Sequence, residues 1–290
     1  MPHGEWADFT FDGIGTRWEI STPRPLAGTL RSRLLDVVEK YDGDWSRFRP
    51  DSTVSAMARQ PGRYTLPGEA APLGRLYRSL YDITAGAMTP LVGSSLEQLG
   101  YDATYSLVPA GAAVPAPRWD DALDWDGAVL TTSAPLVLDI GAAGKGQLVD
   151  LVAAELRSSG VASFVIDASG DLLHSGPDPL QVALEHPYDP TKAIGTVSLA
   201  GGALCASASN RRAWGDGLHH VLDGTTGRPV STAVATWTMA SSTMVADALA
   251  TALFFTPGAE LERSFDFSWL TVFSDGSAAY SSGFEGTLFT

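Results

Sequence analysis

Two polar residues one helical turn apart could hold a divalent metal. Asp247 and Thr251 lie at positions i and i+4 of an apolar, alanine-rich segment, so both side chains face the same way on a helix. A carboxylate and a hydroxyl are hard oxygen ligands that suit Mg²⁺ together with ligand phosphates. A carboxylate near a helix N-terminus also favours the helix dipole. The pair alone therefore leaves a metal-binding and a structural role open.

A glycine-rich turn before a helix could receive an anion. The apolar run Leu136–Ile140 predicts a strand, residues 141–144 predict a tight turn, and a helix follows with Lys145 at its start. Small residues let the backbone approach a ligand closely, and a helix N-terminus offers unpaired N–H groups. The glycine spacing fits neither a Walker A loop nor a dinucleotide-binding fingerprint. An ordinary strand-to-helix turn remains the alternative.

A histidine beside a turn could act as a base. His219 and His220 precede residues 223–227, whose sequence Asp-Gly-Thr-Thr-Gly predicts a tight turn after a strand. Strand alternation places the two histidines on opposite faces, so one site can use only one of them. A general base, a metal ligand and a hydrogen-bonded structural group all remain open for His220.

Three further segments carry polar or reactive groups. Residues 167–171, at a predicted strand end, form either a ligand contact or an ordinary polar turn. The two arginines of residues 46–50 could bind phosphate or pair with the acidic surface. Cys205 is the one cysteine, so no intramolecular disulfide can form. Its apolar surroundings predict a buried structural thiol.

Mixed helices and strands must position these residues. We predict one bent strand over 8–20, amphipathic helices over 27–40, 71–88 and 243–255, and an exposed loop over 105–123. Further predicted elements are a short helix capped by Ser52, a strand over 164–166, short strands within 180–222, and closing strands near 269–273 and 278–281. The absence of a regular β-α-β rhythm argues for an α+β fold.

The composition of the chain indicates which partners and which location to expect. The 290 residues carry a net charge of −14, which would repel a phosphate backbone and makes a nucleic-acid partner unexpected. A phosphorylated ligand would need a cation, a helix N-terminus or a few placed basic side chains. The chain has no apolar run of about 18 residues and its first residues lack the features of a secretory signal. We therefore expect a cytoplasmic protein without a membrane span.

The order of these segments resembles the ApbE family, the FAD:protein FMN transferases, from about Phe9 to Phe254. The most specific segments are the glycine-rich turn over 139–146, the histidine segment over 220–227 and the metal helix over 246–253. Partial matches lie at residues 13–16, 46–52, 84–88 and 167–171.

The resemblance implies one ApbE-like domain over residues 1–290, of α+β class and built as two closely packed mixed α/β lobes. It implies Mg²⁺-dependent transfer of FMN from FAD, the substrate, to a threonine hydroxyl of an acceptor flavoprotein, with release of AMP. A neutral histidine near pH 7 would serve as the base for that hydroxyl.

The resemblance also implies residue roles. Asp247 and Thr251 would bind Mg²⁺ together with a backbone carbonyl near Ala142, and His220 would lie beside the reacting phosphate as the catalytic residue. The residues expected to contact FAD are Gly141, Ala142, Lys145, Asp171, Ser207 and Thr226.

The chain departs from the family pattern at several positions. Thr89 stands where the family has Asp, which removes a carboxylate that could help bind metal or activate the acceptor. Ala208 replaces a glycine, Gly224 a proline and Ala85 an aspartate. Two alternatives to the transferase therefore stay open: an FAD pyrophosphatase, in which water replaces the threonine, and a non-catalytic FAD-binding protein.

Overall fold

Helices and strands follow one another irregularly along the chain, as an α+β fold requires, and a computed structural model describes them for residues 6–289. The helices are α1 Gly28–Trp45, α2 Thr53–Arg59, α3 Ala70–Ile83, α4 Gly93–Gln98, α5 Trp119–Ala122, α6 Gly144–Ser158, α7 Thr243–Ala252 and α8 Gly258–Leu261, with a 3-10 helix over Pro90–Val92. The strands are β1 Ala7–Gly13, β2 Thr16–Thr22, β3 Gly62–Thr65, β4 Leu123–Asp126, β5 Val129–Thr132, β6 Phe164–Asp167, β7 Asp171–Ser175, β8 Leu180–His186, β9 Asp189–Leu199, β10 Gly202–Ala208, β11 Ala213–Trp214, β12 Leu218–His219, β13 Leu222–Asp223, β14 Arg228–Pro229, β15 Ala233–Ala240, β16 Ser268–Phe273, β17 Ala278–Tyr280 and β18 Gly286–Leu288.

Eight antiparallel strands form the central sheet, in the order β1-β2-β6-β7-β10-β15-β16-β17. Helix α7 packs against β10 and β15, and α6 packs beside it. The small side chains of α7, including Ala246 and Ala250, let its backbone approach the sheet. Thr238 Oγ1 and Thr236 Oγ1 donate to the carbonyls of those two alanines, each at 2.6 Å. Helix α7, which carries Asp247 and Thr251, is therefore fixed to the middle of the sheet.

The opposite face of the sheet is covered by a second sheet in the order β18-β9-β8. Leu184 and Val197 from this small sheet are buried against Trp237 and Leu270 of the central one. Because apolar side chains cover both of its faces, the central sheet is a rigid base for the residues at its edge.

The amino-terminal prediction of one bent strand over 8–20 is wrong. Residues Ile14 and Gly15 have φ values of 46° and 76°, and they join β1 to β2 in a two-residue hairpin. Positive φ at both turn positions matches the right-handed twist of the flanking strands. The two glycines interpreted as a bend therefore mark a reversal of the chain.

The predicted strand Leu136–Ile140 is also wrong, because this segment is extended but pairs with no described strand. Its backbone bonds elsewhere: Leu136 N donates to Met57 O at 3.1 Å, and Asp139 N donates to Pro90 O at 2.8 Å. The strands nearest before it, β4 and β5, pair with each other in a hairpin. Alternate residues of segment 136–140 are buried, which gives the same sequence pattern as a half-buried strand.

The other predicted elements are present with shifted ends. Helix α1 continues to Trp45, and α3 ends at Ile83, just before Ala85 and Gly86 turn the backbone to positive φ. Ser52 caps α2 by accepting from Ser55 N. No helix among the described residues is long and apolar enough to cross a bilayer. The first five residues, which enter the expectation about a secretory signal, lie outside the described residues, and the two-lobe arrangement stays a prediction.

Candidate active site

Two adjoining cavities open beside the glycine-rich turn. The polar cavity, of about 270 Å³, is lined by Lys145, Ser207, His220, Asp247 and Thr251 among others. The aromatic cavity, of about 280 Å³, is lined by residues that include the rings of Tyr41, Trp45, Phe48, Tyr101 and Tyr105. The residues common to both walls are Tyr101, Asp139, Gly141, Lys145 and Arg212. An elongated ligand could occupy both cavities past this shared wall.

Helix α7 presents Asp247 and Thr251 to the polar cavity, as their i and i+4 spacing predicts. Asp247 is only 7% exposed, and its Oδ2 accepts from Gly146 N at 2.9 Å. A Cβ at position 146 would overlap the carbonyl oxygen of Thr243 and lie 2.7 Å from Asp247 Cβ. Glycine at this position therefore allows α6 and α7 to approach closely enough for the hydrogen bond.

Asp150 of α6 caps the N-terminus of α7. Its Oδ1 accepts from Thr243 N at 3.0 Å, and its Oδ2 accepts from Met244 N at 3.0 Å and from Ser242 Oγ at 2.7 Å. These bonds satisfy backbone donors that a helix start leaves unpaired, and the carboxylate suits the positive end of the helix dipole. One side chain thus fixes α7 to α6, the helix that follows the glycine-rich turn.

Three charged groups lie together below the polar cavity. Lys145 Nζ lies 2.7 Å from Asp171 Oδ2 and donates to Ala168 O at 3.0 Å. Burial alone would lower the pKa of Lys145, but the Asp171 and Asp247 carboxylates outweigh it and raise the pKa. Burial and then the Asp171 charge raise the pKa of the Asp247 carboxyl well above its usual range, and Lys145 opposes this only in part. The site by itself therefore disfavours the ionised form of Asp247, and a bound cation would shift the balance toward the carboxylate.

The types of donor atom on the cavity wall decide which cation the site could bind. Among the described residues, no group of three or more His, Cys, Asp and Glu side chains could hold a metal by itself. Asp247, Thr251 and a backbone oxygen near Ala142 are all hard donors on one cavity wall. Mg²⁺ takes few protein carboxylates and completes its shell with phosphates and water. The residues present therefore fit Mg²⁺ better than a soft metal that needs thiolate or several imidazoles.

The glycine-rich turn is held from behind by Asp139. Its Oδ1 accepts from Gly141 N at 2.7 Å, and its Oδ2 accepts from Arg47 Nε at 2.6 Å. Burial would raise the pKa of Asp139, but the Arg47 guanidinium outweighs it and the pKa lies below its ordinary value. At the start of α6, Gly144 N donates to Ile140 O at 2.7 Å and Gly146 N donates to Asp247 Oδ2, so only part of the helix start stays available to an anion.

His220 lines the polar cavity and His219 does not. His219 Nε2 lies 2.8 Å from Val230 O, a structural hydrogen bond. His220 Nδ1 is buried and has no hydrogen-bond partner among the described residues. Burial, followed by the nearby positive charge of Arg212, lowers the pKa of His220 to about 3. The imidazole is therefore neutral near pH 7, the form in which it can accept a proton.

Two of the departures from the family pattern contact each other. A Cβ at Gly224 would lie 2.5 Å from Thr89 Cγ2 and 2.8 Å from Gly86 O. Gly224 N donates to Ala87 O at 2.8 Å, a bond that proline could not make. Thr89 and Gly224 therefore form one packed unit, and Thr89 lines the polar cavity.

The structure brings most of the predicted site residues to one place. The predicted residues on the wall of the polar cavity are Gly141, Ala142, Lys145, Ser207, His220, Asp247 and Thr251. Asp171 is fully buried behind Lys145, so it is placed to act through the lysine. Thr226 is exposed in the 223–227 turn, where its Oγ1 bonds the Asp223 carbonyl, and it lines neither cavity. Neither residue lies on a cavity wall, and their contact with FAD stays a prediction.

Arg211, Arg212 and Tyr101 line the cavities but were not predicted from the sequence. The two arginines lie three and four residues after the end of β10 and are consecutive in a strongly acidic chain, which was the available signal. Tyr101 comes from a distant segment, and no spacing relates it to the motifs. In the 46–50 segment, Arg49 follows the surface alternative, because it pairs with Glu39, Asp42 and Asp51. Arg47 does not, because it is buried and pairs with Asp139 behind the glycine-rich turn.

Comparison with known proteins identifies relatives over most of the chain. The ApbE family profile matches residues 14–266. A protein named FAD:protein FMN transferase from Rhodobacter capsulatus is 31% identical over 84% of this chain and 50% of its own length. One of the same name from Vibrio cholerae is 28% identical over 76% of this chain and 70% of its own length. The chain thus spans about half the length of the Rhodobacter relative.

Solved structures show the same fold. The ApbE protein of Thermotoga maritima superposes with a TM-score of 0.84 at 21% identity, covering 97% of this chain and 99% of its own. The flavin transferase ApbE of Vibrio cholerae gives 0.79 at 21% identity, covering 97% and 98%. The family match over residues 14–266 and the shared fold lead to one conclusion: this chain belongs to the ApbE family.

Proposed function

We propose that this chain transfers FMN from FAD to a threonine hydroxyl of an acceptor protein, in a Mg²⁺-dependent reaction that releases AMP. The observation that carries the proposal is the convergence of Asp247, Thr251 and His220 on the cavity beside the glycine-rich turn. The names of the Rhodobacter and Vibrio relatives supply the substrate and the product. The adjoining aromatic cavity offers space for a second part of a dinucleotide.

The charge of the site supports a metal in this reaction. Asp247 and Thr251 would hold Mg²⁺ with a backbone carbonyl near Ala142. When bound, the ion neutralises pyrophosphate charge and aligns the phosphate for in-line attack. An acidic chain can thereby bind an anionic dinucleotide, because the repulsion from its net charge is offset locally.

The transfer step requires a base and a leaving group. The threonine oxygen forms a bond to the phosphorus of the FMN half, and the bond from that phosphorus to the bridging oxygen breaks. That oxygen departs with AMP, and His220 accepts the hydroxyl proton. His220 is neutral in the free protein because its pKa is lowered, and it lines the same cavity as Asp247 and Thr251, which supports its proposed place beside the reacting phosphate.

The first experiment is incubation of the protein with FAD and Mg²⁺, with and without a flavoprotein acceptor domain. We expect a mass gain of one FMN on the acceptor and an equal amount of AMP. AMP release without acceptor labelling would replace the proposal with hydrolysis of the pyrophosphate. Tight FAD binding without AMP would replace it with a non-catalytic binding role.

The Asp247→Ala variant tests the metal assignment. Loss of the carboxylate should reduce Mg²⁺-dependent AMP release on the order of 1,000-fold, because a metal ligand contributes several kcal/mol to charge stabilisation. Mg²⁺ binding measured by calorimetry should be lost in parallel. Asp36→Ala, an exposed aspartate on α1 that lines neither cavity, is the matched control. Full activity in the Asp247 variant would refute the assignment.

A further inference from the structure

Among the described residues, the two cavities contain one basic side chain that makes no ion pair with a carboxylate. Within residues 6–289, five basic residues line the cavities, and all but Arg212 have a carboxylate partner. The pairs are Lys145 with Asp171 at 2.7 Å, Arg47 with Asp139 at 2.6 Å, Arg49 with Glu39 at 2.7 Å and Arg211 with Glu185 at 2.9 Å. Arg212 thus has no carboxylate partner among the described residues, although the chain has 33 acidic residues.

Arg212 stands where the polar and aromatic cavities meet. It lines both of them and is exposed to solvent at their mouth. Its Nη1 donates to the hydroxyl of Tyr101 at 3.0 Å, which occupies one of its five N–H donors. The other donors and the full positive charge remain available to a ligand that passes from one cavity to the other.

The chemistry of that ligand follows from the guanidinium. Its planar fork matches the paired oxygens of a phosphate, and such charge-assisted bonds are about twice as strong as neutral ones. We propose that Arg212 binds a phosphate of the ligand at the cavity junction and so selects a phosphorylated flavin over the unphosphorylated form. The proposal takes from the proposed function only that the ligand is a flavin dinucleotide.

The nearness of Arg212 to His220 agrees with this position. The arginine charge is the second cause, after burial, of the lowered pKa of His220. A phosphate bound by Arg212 would therefore lie on the same side of the polar cavity as the imidazole. Arg212 would fix the group on which His220 acts and take no proton itself.

The test measures binding without turnover. Dissociation constants for FAD and riboflavin, which share the isoalloxazine ring, are determined by flavin fluorescence for the wild type and for Arg212→Gln, with circular dichroism to verify folding. We expect FAD binding to weaken about tenfold, which corresponds to about 1.4 kcal/mol, with riboflavin binding unchanged. Arg212→Lys should give an intermediate loss, because it retains the charge without the fork.

Two controls separate recognition from structural support. Tyr101→Phe removes the hydroxyl that Arg212 contacts and should leave the ratio of the two dissociation constants unchanged. Arg24→Gln makes the same charge change at an exposed position outside both cavities.

Several outcomes would overturn the proposal. An equal loss of FAD and riboflavin binding in Arg212→Gln would show that Arg212 only shapes the cavity. The same loss of selectivity in Tyr101→Phe would assign the effect to the tyrosine contact. Equal affinity of the wild type for both flavins would remove phosphate selection altogether. If the protein transferred no FMN but its preference for FAD still depended on Arg212, the proposed function would be refuted and this proposal would stand.

Discussion

The floor and the mouth of the polar cavity are built in different ways. At the floor, Asp247 and Lys145 lie between two packed helices and the central sheet, and Asp171 beneath them has no exposed surface. At the mouth, residues 209–229 form turns and two-residue strands, and Arg212 is exposed. The floor can hold groups in fixed positions, and the mouth can adapt to a ligand. Substitutions at the floor should therefore affect folding and chemistry together, whereas substitutions of the cavity-lining residues Arg212 and His220 at the mouth should affect function alone.

The largest effect is expected at the floor, from Gly146→Ala. The new Cβ would overlap the Thr243 carbonyl and crowd Asp247, so α6 and α7 must separate. We expect a loss of about 3 kcal/mol in the free energy of unfolding, the upper range for an overpacked site. AMP release should fall in the same variant, because the Gly146 bond to Asp247 is disturbed. Urea unfolding and an AMP assay measure the two effects.

Gly43→Ala is the matched control. Gly43 lies within α1, and a Cβ there would meet no atom within 4 Å. Alanine should stabilise that helix by up to about 1 kcal/mol. If both variants had the same stability, close approach of α6 and α7 would not depend on Gly146.

A functional effect without a folding effect is expected at the mouth, from His220→Ala. The rate of transfer should fall about 100-fold, the lower range for loss of a general base, with FAD affinity largely intact. Since the pKa of His220 is about 3, below its usual 6.5, the imidazole of the free protein gains no proton between about pH 8 and pH 5. The pH profile of kcat/KM in the wild type should therefore show no fall near pH 6.5 from this residue.

His219→Ala provides the contrast. It removes a hydrogen bond to Val230 and should lower the melting temperature more than the rate. An unchanged rate in His220→Ala would exclude the residue from the chemistry. A fall in kcat/KM centred on pH 6.5 that disappears in this variant would show that the imidazole titrates normally.

The smallest effect is expected beneath the floor, from Thr238→Val. The variant keeps the shape of the side chain but loses the bond to Ala246 O that holds α7 on the sheet. One buried hydrogen bond is worth about 1 kcal/mol, so the free energy of unfolding should fall by that amount. Thr271→Val is the control, because Thr271 is buried and its Oγ1 has no partner among the described residues. Equal losses in the two variants would contradict the role given to Thr238.

The sequence reveals the floor better than the mouth. The positions of Asp247 and Thr251 follow from helical spacing, which one segment specifies by itself. Asp150 bonds Ser242, which is 92 residues away in the chain, and Arg212 bonds Tyr101, which is 111 residues away. Local sequence patterns do not contain that information. The wrong strand prediction over 136–140 has the same origin. Its alternating apolar residues indicate burial, but they do not show which groups its backbone bonds to.

The cap that Asp150 places on α7 has a consequence for how the protein opens. Because one carboxylate of α6 holds three donors at the start of α7, the two helices form a single unit of local unfolding. We therefore expect the amides of α7 to exchange with solvent only when that cap is released as well. Protection from hydrogen exchange should then extend from α7 to the turn ahead of α6, and the loops at the mouth should open separately.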